Sequence, residues 1–285
     1  MQSQVIVPLD GSTNAETILP HALFFALQTQ SILTLLRVIM PPGEPEYPAP
    51  YIPDDWYEGE VSWTKNYLGS LAARLQAQGV RVQMQHVEGT FAGAAINSYA
   101  EQRTDARLIA LATHGRDAAG RLFLGSVAKD VFASAPTSLL LLHPPKGEQI
   151  PPGPITQASY QTIVVPLEGI VGSERVLEQA ATLALASHAS VLLAADPPPP
   201  LLEQEVRAHE ETIQADLLTK QAEQLRSSTG LTLQTAFTEG DPAVFIERLQ
   251  RQDRQHLLIV TTRQPAEHKV MRFLHQSDVP VLFVA

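Results

Sequence analysis

The sequence contains no cysteine, which excludes disulfide bonds, thiolate metal sites and cysteine nucleophiles. It also lacks any apolar run near the ~20 residues that a membrane-spanning helix needs. The N-terminus has no basic stretch followed by an apolar one, as a secretory signal would. Basic side chains are few, 20 against 30 acidic ones for a net charge of −10, which argues against a broad surface for nucleic acid or anionic lipid. We therefore expect a soluble, cytoplasmic protein that binds neither nucleic acid nor membrane.

What the chain does contain is enough apolar sequence for a folded core. Hydrophobic residues make up 44% of the 285 positions and charged residues 18%, a balance typical of globular proteins. This length suits one large domain or two of ordinary size.

Four sequence blocks occur twice, in the same order. They pair VIVPLDGS at 5–12 with IVVPLEGI at 163–170, VEGTFAGAAI at 87–96 with TEGDPAVFI at 238–246, LIALAT at 108–113 with LLIVTT at 257–262, and APTSLLLLH at 135–143 with DVPVLFVA at 278–285. A proline-rich stretch separates the two copies and is typical of a linker. The repeats therefore predict two related domains, 1–145 and 160–285, joined by a linker at 146–159.

Each repeat alternates short apolar runs with longer helical patterns. In the first repeat we predict strands at 4–9, 32–39, 80–87, 107–112 and 138–142, and helices near 13–29, 55–78, 91–103 and 126–134. Strands that are apolar on both faces and separated by helices indicate a parallel sheet covered on both sides. This pattern predicts an α/β fold with two tandem, doubly wound, Rossmann-like sheets.

The predicted loop at 41–55 is rich in proline and carries or precedes several aromatic residues. Tyr47, Tyr51, Trp56 and Tyr57 either cover a cleft or simply fasten this long loop to the domain. The sequence leaves both interpretations open.

Two predicted strand ends carry residues suited to a nucleotide. Asp10, after the first strand, is an acceptor for ribose hydroxyls, an adenine amine or a hydrated metal ion. Thr113 and Gly115 follow the fourth strand, and a nine-residue insert leads to Gly125 and Ser126 at the start of a helix. A glycine there allows close approach of an anion to the backbone, and the first helical N–H groups are free to bind it. The alternative is purely structural, a helix N-cap and a turn glycine. The segment has no G-x-G-x-x-G motif, and its one G-x-x-x-x-G lacks the following lysine of a P-loop.

The spacing Gly115-x9-Gly125-Ser126, preceded by Thr113-His114 and followed by SVAKDVFASAPTSLLLL, resembles the universal stress protein family. Nucleotide-binding members of that family have G-x2-G-x9-G-[S/T] before a helix, then a proline and a last strand. The resemblance extends over both repeats and includes the opening VPLDGS and the central EG[TD]-x-A segment. One position departs from the motif, because Ala112 replaces its first glycine and narrows access to the backbone there.

The resemblance implies the five-stranded fold of this family and an ATP site in the first repeat, with the presence of Mg²⁺ or Mn²⁺ left open. Adenine and ribose would lie against Pro8, Leu9 and Asp10, and the backbone of Val38 would meet the adenine edge. The phosphates would be held by Ala112, Gly115, Gly125, Ser126 and Val127. Thr113, His114 and Arg116 complete the predicted set, although His114 equally suits a stabilised turn and Arg116 a solvated loop.

The second repeat differs at the corresponding loop. From Thr113 to Pro136 is 23 residues, whereas from Thr262 to Pro280 is 18, and the shorter segment contains no glycine. Glu168 replaces Asp10. We therefore predict a degenerate loop that does not bind the phosphates of ATP as the first repeat does. In the family, such domains pair through their last strands, which implies a pseudo-dimer within this chain and leaves a homodimer open.

No catalytic apparatus stands out in the sequence. There is no P-loop lysine, and no Ser-His-Asp set with defensible spacing, so we expect at most a weak ATPase. The resemblance favours an ATP-binding stress-response protein that acts as a nucleotide-dependent switch or binding module on an unidentified protein partner. The alternatives are a slow ATP hydrolase and a ligand-free interaction scaffold.

Overall fold

The computed structural model describes residues 2–42, 54–113, 125–144, 147, 149–167, 174–195, 204–238, 244–245, 248–249, 257–262 and 279–285. The chain forms two compact units, Met1–Ala158 and Ser159–Ala285. Among the described residues, each unit has five parallel strands.

The strands of the first unit lie where the apolar runs predict them. They are β1 (Gln4–Pro8), β2 (Ile32–Ile39), β3 (Val82–Glu88), β4 (Ala106–Ala112) and β5 (Ser138–Leu142), in the spatial order β3-β2-β1-β4-β5. Because β1 lies between β2 and β4, the chain leaves the centre of the sheet first in one direction and then in the other. This reversal opens a crevice at the carboxyl ends of β1 and β4.

The helices of the first unit are α1 (Thr13–Glu16), α2 (Leu19–Gln28), α3 (Trp56–Gln76), α4 (Ala92–Glu101) and α5 (Ser126–Ser134). The single helix expected at 13–29 is thus two helices. Pro20 lies in the first turn of α2, where a missing N–H costs nothing, whereas inside a continuous helix its ring would clash with the preceding turn.

The core of this unit lies on both faces of the central strands. Ile6 and Val7 on β1 and Ile109 on β4 are fully buried, as are Leu19 and Leu23 on α2. Adjacent strand residues point to opposite faces, so burial of both Ile6 and Val7 requires cover on both sides of the sheet. The prediction of a doubly wound α/β architecture is confirmed.

The second unit has the same strand order. Its strands are β6 (Thr162–Leu167), β7 (Ser190–Ala195), β8 (Leu233–Phe237), β9 (Leu257–Thr262) and β10 (Val281–Val284), arranged β10-β9-β6-β7-β8, and its longer helices are α6 (Glu174–Ser187) and α7 (Gln204–Thr229). Counted from its own first strand, this order repeats that of the first unit. The tandem repeat seen in the sequence is therefore a repeat of topology as well.

Part of the proline-rich stretch between the repeats is fastened to the first unit. The guanidinium of Arg74, on α3, donates hydrogen bonds to the carbonyl oxygens of Pro151 (2.6 Å) and Gly153 (2.7 Å). Ile155 is buried, and the N–H of Ala158 donates to the carbonyl of Pro20 at 2.9 Å. These contacts explain why residues up to Ala158 group with the first unit.

Candidate functional site

A cleft of about 880 Å³ lies at the carboxyl ends of β1, β2 and β4 in the first unit. Its walls come from these strands and from α3, α4 and α5. The volume is within the range of small-molecule and cofactor sites, roughly 300–1,000 Å³. The position is that of the crevice where ligands bind in open parallel sheets.

Nine of the residues that the sequence singles out line this one cleft. They are Pro8, Leu9, Asp10, Val38, Ala112, Thr113, Gly125, Ser126 and Val127. The other three, His114, Gly115 and Arg116, lie outside the described residues. Residues that are up to 119 positions apart in the chain are thus neighbours around one space.

The end of β1 holds a carboxylate in a fixed turn. The N–H of Leu9 donates to the carbonyl of Leu36 at 2.8 Å, which extends the pairing of β1 with β2 by one residue. The next residue, Asp10, accepts the N–H of Ser12 on Oδ1 at 2.9 Å. Ser12 in turn caps α1 by accepting the N–H of Ala15. The Asp10 carboxylate is therefore positioned by the backbone that follows it.

The start of α5 is fastened to the end of β4. The N–H of Gly125 donates to the carbonyl of Thr113 at 2.8 Å, and the N–H of Thr113 donates to Leu142 on β5 at the same distance. The Thr113 hydroxyl lies 3.2 Å from Nδ1 of His143. Through these bonds the first turn of α5 reaches the cleft beside the last residue of β4, Ala112.

The first N–H groups of α5 face the cleft without a side-chain cap. Gly125 is the N-cap residue, and among the described residues no side chain caps this helix start. The N–H groups of Ser126, Val127 and Ala128 have no acceptor within the helix, because they belong to its first turn. Gly125 has φ −55° and ψ 152°, a conformation open to any residue, so its advantage is the absent Cβ rather than backbone freedom. N–H groups that have no acceptor within the helix, together with the helix dipole, favour an anion.

The close contact between α4 and α5 depends on Gly93. A Cβ atom on Gly93 would lie 2.4 Å from Cβ of Asp130 and 3.2 Å from the carbonyl oxygen of Val127. The amide of Asn97, one turn further along α4, donates to the carbonyl of Asp130 at 3.2 Å. Sequence reasoning missed this role, although the glycine in VEGTFAGAAI was a visible signal.

The wall formed by α3 contains further residues that the sequence reasoning missed. Trp56, Glu60 and Trp63 line the cleft from α3, and Arg37 lines it from β2. Only 8% of Arg37 is exposed, and its guanidinium carbon lies 4.5 Å from the ring centroid of Trp63. One atom of that guanidinium, Nη2, lies 3.4 Å from Oε2 of Glu60. An arginine inside the apolar strand ILTLLRVI was the signal.

The aromatic residues at the start of α3 divide between the two roles considered above. Trp56 lines the cleft, whereas the hydroxyl of Tyr57 donates to Glu88 at the end of β3 and so fastens the helix to the sheet. Tyr47 and Tyr51 lie outside the described residues.

The charges of Glu16, Asp10 and Arg37 act on the phenol of Tyr67, one turn beyond Trp63 on α3. The Trp63 and Tyr67 rings are stacked, with centroids 5.1 Å apart. Burial raises the pKa of the Tyr67 phenol, the negative charges of Glu16 and Asp10 raise it further, and Arg37 opposes them. Tyr67 is therefore neutral at physiological pH.

Within the described ranges, no group of three or more His, Asp or Glu side chains could hold a metal ion. No described helix is both long enough and apolar enough to cross a bilayer.

The predicted difference in the second unit falls mostly outside the described residues. Glu168 and residues 263–278, where the shortened loop was expected, are not described. Thr262, which aligns with Thr113, ends β9. Degeneracy of this loop stays a prediction.

Comparison with known proteins gives one family and several structures. The sequence profile of the universal stress protein family matches residues 1–143 and 159–285. No curated protein sequence matches the chain. The fold is similar to a universal stress protein from Archaeoglobus fulgidus, with 14% identity, a TM-score of 0.66 and coverage of 99% of this chain and 95% of that one.

Two further structures are similar. A protein described as a universal stress protein from Pseudomonas aeruginosa has 16% identity and a TM-score of 0.63, with coverage of 99% of this chain and 93% of that one. A universal stress protein solved in complex with cAMP has 21% identity over 50% of this chain and 98% of its own, with a TM-score of 0.37. The Archaeoglobus fulgidus and Pseudomonas aeruginosa structures are matched over nearly their whole length, and they show that this chain has the same fold.

Proposed function

Since the chain belongs to the universal stress protein family, we propose that its first unit binds ATP in the cleft between β1, β2 and β4. The bound nucleotide would make the protein a switch or binding module in a stress response, read by a protein partner. Three features of the cleft support this proposal, and the start of α5 carries most of it.

The triphosphate would bind at the first turn of α5. The N–H groups of Ser126, Val127 and Ala128 have no acceptor within the helix, and Gly125 adds no side chain to obstruct an approaching anion. A helix N-terminus carries a positive charge of roughly half a unit, which favours phosphate. This end of the cleft therefore offers donors and charge without a P-loop lysine.

The ribose would lie near Asp10, between the phosphate end and β2. A carboxylate is an acceptor for two neighbouring hydroxyl groups. The hydrogen bond from the N–H of Ser12 holds the Asp10 carboxylate in place. The base would then reach Pro8, Leu9 and Val38, with the side chain of Trp56 on the α3 side. Flat, apolar surfaces of this kind suit a purine ring.

We propose binding and signalling rather than turnover. Phosphoryl transfer needs cations positioned on the transferred group and an oriented nucleophile. In the described lining of the cleft the basic side chain is Arg37, which lies on β2, two strands from the end of β4. A companion Mg²⁺ or Mn²⁺ would be held mainly by the nucleotide's own phosphates, with Asp10 as one of the carboxylates that line the cleft.

We further propose that the second unit does not hold ATP in this way and serves association instead. Pairing through the last strand of each unit, and a homodimer of two chains, both belong to this proposal. Its test is the nucleotide stoichiometry and the mass of the protein in solution, with one ATP per chain expected.

The experiment that tests the ATP proposal uses the two tryptophans of the chain, both of which line the cleft. ATP should change the tryptophan fluorescence of the full chain on titration, and calorimetry should give one site. Gly125→Val should weaken binding at least tenfold, because its side chain would fill the approach to α5. Gly69→Val is the matched control, since Gly69 does not line the cleft and the nearest atom to an added Cβ is on the flexible Met84 side chain at 4.0 Å.

Other outcomes separate the alternatives. Absence of ATP binding by the intact chain would favour the ligand-free scaffold. Binding that Gly125→Val leaves unchanged would place ATP elsewhere. Release of phosphate by the wild-type chain that Gly125→Val abolishes would favour the slow hydrolase.

A further inference from the structure

An ion pair lines the cleft on the β2 side. Arg37 of β2 and Glu60 of α3 are both part of the cleft wall, and neither belongs to the nucleotide motif. Strand β1 lies between β2 and β4, so Arg37 is two strand spacings, about 10 Å, from the end of β4 that fastens α5. If phosphates bind at α5, this pair faces the other end of the ligand.

The guanidinium of Arg37 is incompletely hydrogen-bonded for a buried charge. Arg37 is 8% exposed, and its guanidinium lies over the face of Trp63 and 3.4 Å from one oxygen of Glu60, a long distance for such a bond. Its Nε atom is buried and has no hydrogen-bond partner within the described residues. A guanidinium has five N–H donors, and buried donors without acceptors cost free energy. The group therefore has donors to spare for a ligand.

Glu60 supplies the complementary group beside it. About a third of its side chain is exposed, and an ionised carboxylate has acceptor sites left after one contact with Arg37. The cleft wall thus presents a donor next to an acceptor. Adenine presents the complementary pair on one edge, the acceptor N7 beside the N6 amino donor, whereas guanine presents two acceptors there, N7 and O6.

We propose that Arg37 and Glu60 read the base of the bound nucleotide, with Arg37 donating to N7 and Glu60 accepting from the N6 amino group. The pair would select adenine over guanine, because the guanine O6 would face the Glu60 carboxylate. This inference rests on the proposed binding of a nucleotide in the cleft and adds the residues that choose the base.

A phosphate is the other chemistry that an arginine binds well, and the geometry favours the base. The uncapped first turn of α5 already offers an anion site at the far side of β1, and the Glu60 carboxylate beside Arg37 repels phosphate. The two roles can be distinguished, because the loss of Arg37 would weaken the binding of different ligands in each case.

The test measures the affinity of the full chain for ATP, GTP, adenosine and 7-deaza-ATP, an analogue that lacks the N7 acceptor. The wild-type chain should prefer ATP to GTP by about tenfold or more, the selectivity of a two-point base contact, and should bind 7-deaza-ATP more weakly than ATP. Glu60→Gln should bring ATP and GTP within about threefold of each other, because a glutamine amide also donates to O6. Arg37→Met should bind ATP and 7-deaza-ATP equally.

Glu58→Gln is the control, since Glu58 lies two residues away on α3, is exposed and does not line the cleft. It should leave all four affinities unchanged. Because Arg37 is buried, its variant also needs an unchanged circular dichroism spectrum, and if it fails to fold, Glu60→Gln and 7-deaza-ATP still decide the outcome.

If the wild-type chain binds ATP but shows no preference over GTP, or if Glu60→Gln leaves the preference intact, the pair does not read the base. If Arg37→Met weakens ATP and GTP equally and spares adenosine, Arg37 binds phosphate. If no nucleotide binds the wild-type chain, the proposed function itself is wrong.

Discussion

The backbone N–H of Ser12 donates to Oδ1 of Asp10 across 2.9 Å. This bond holds the carboxylate at the end of β1 by means of the turn that starts α1, so the acid is positioned before any ligand arrives. An asparagine in its place would retain the same acceptor atom.

Asp10→Asn should therefore weaken ATP binding while leaving the fold intact. The change removes the negative charge that would accept the ribose hydroxyls, and a hydrogen bond to a charged group contributes about 1.5–3 kcal/mol, a factor of roughly 10–150 in affinity. Calorimetric titration with ATP measures the loss. Asp54→Asn, at an exposed position before α3, is the control. An equal affinity of the Asp10 variant and the wild type would remove Asp10 from the site.

Gly93→Ala should destabilise the first unit by about 1–3 kcal/mol, the range for an overpacked core. The added methyl group would lie 2.4 Å from Cβ of Asp130, and relief of that contact requires α4 and α5 to separate. Urea unfolding followed by tryptophan fluorescence reports on this unit, because both tryptophans lie on α3.

Gly69→Ala provides the matched comparison for Gly93. It is also a helical glycine, but its Cβ would be 4.0 Å from the nearest atom, on Met84. Removal of a glycine from a helix interior should here stabilise the unit by about 0.5–1 kcal/mol. Opposite signs for the two variants are expected, and a stabilising effect of Gly93→Ala would contradict the close helix contact.

Arg74→Ala should release the part of the connecting segment that lies on the first unit. Its side chain makes two hydrogen bonds to carbonyl groups of Pro151 and Gly153. Their loss should increase amide exchange of residues 154–158 and cleavage there by a nonspecific protease, with little effect on the sheet. Arg81→Ala removes an exposed arginine from the same unit as a control. Unchanged exchange in the Arg74 variant would show that other contacts hold the segment.

Stability should fall as the pH rises above about 10, the pKa of tyrosine in an unfolded chain. Burial raises the pKa of Tyr67, with Glu16 and Asp10 adding to the effect, and burial also raises the pKa of Tyr160. Above pH 10 the unfolded chain loses these protons while the folded chain keeps them, so each tyrosine lowers the free energy of unfolding by about 1.4 kcal/mol per pH unit. Below pH 10 both states are protonated and the effect vanishes.

Tyr67→Phe tests this assignment in the first unit. Urea unfolding by tryptophan fluorescence at pH 9, 10 and 11 should show a smaller decline for the variant than for the wild type. Parallel declines would mean that Tyr67 ionises in the folded chain as readily as in the unfolded one.

The sequence predicted the architecture well because each of its signals was local. Runs such as QVIVP and ARLIALA can be buried only inside a covered sheet, and the two copies of each block predicted the repeated topology. The break between α1 and α2 was missed because the predicted helical period continued through Pro20. Pro20 lies in a first turn only because α2 begins at Leu19, and the packing of α2 against the sheet determines that start.

The candidate site was predictable where it followed strand ends and not where it depended on packing. Asp10 and Thr113 follow apolar runs, so topology alone brings them to one edge of the sheet. Arg37 and Trp63 meet because α3 packs against β2, and no local spacing specifies that packing. Gly93 likewise reveals its role only when α5 is in place.

The hydrogen bond between Gly125 and Thr113 has a consequence for how such a protein can be altered. It joins the two ends of an eleven-residue segment, 114–124, so the separation of those ends is set by the scaffold. The entropy cost of closing a loop grows only logarithmically, by about 0.6 kcal/mol for each doubling. Insertions, deletions and grafted sequences between these two residues should therefore be tolerated by the fold, and the chemistry at this edge can diversify while the scaffold stays the same.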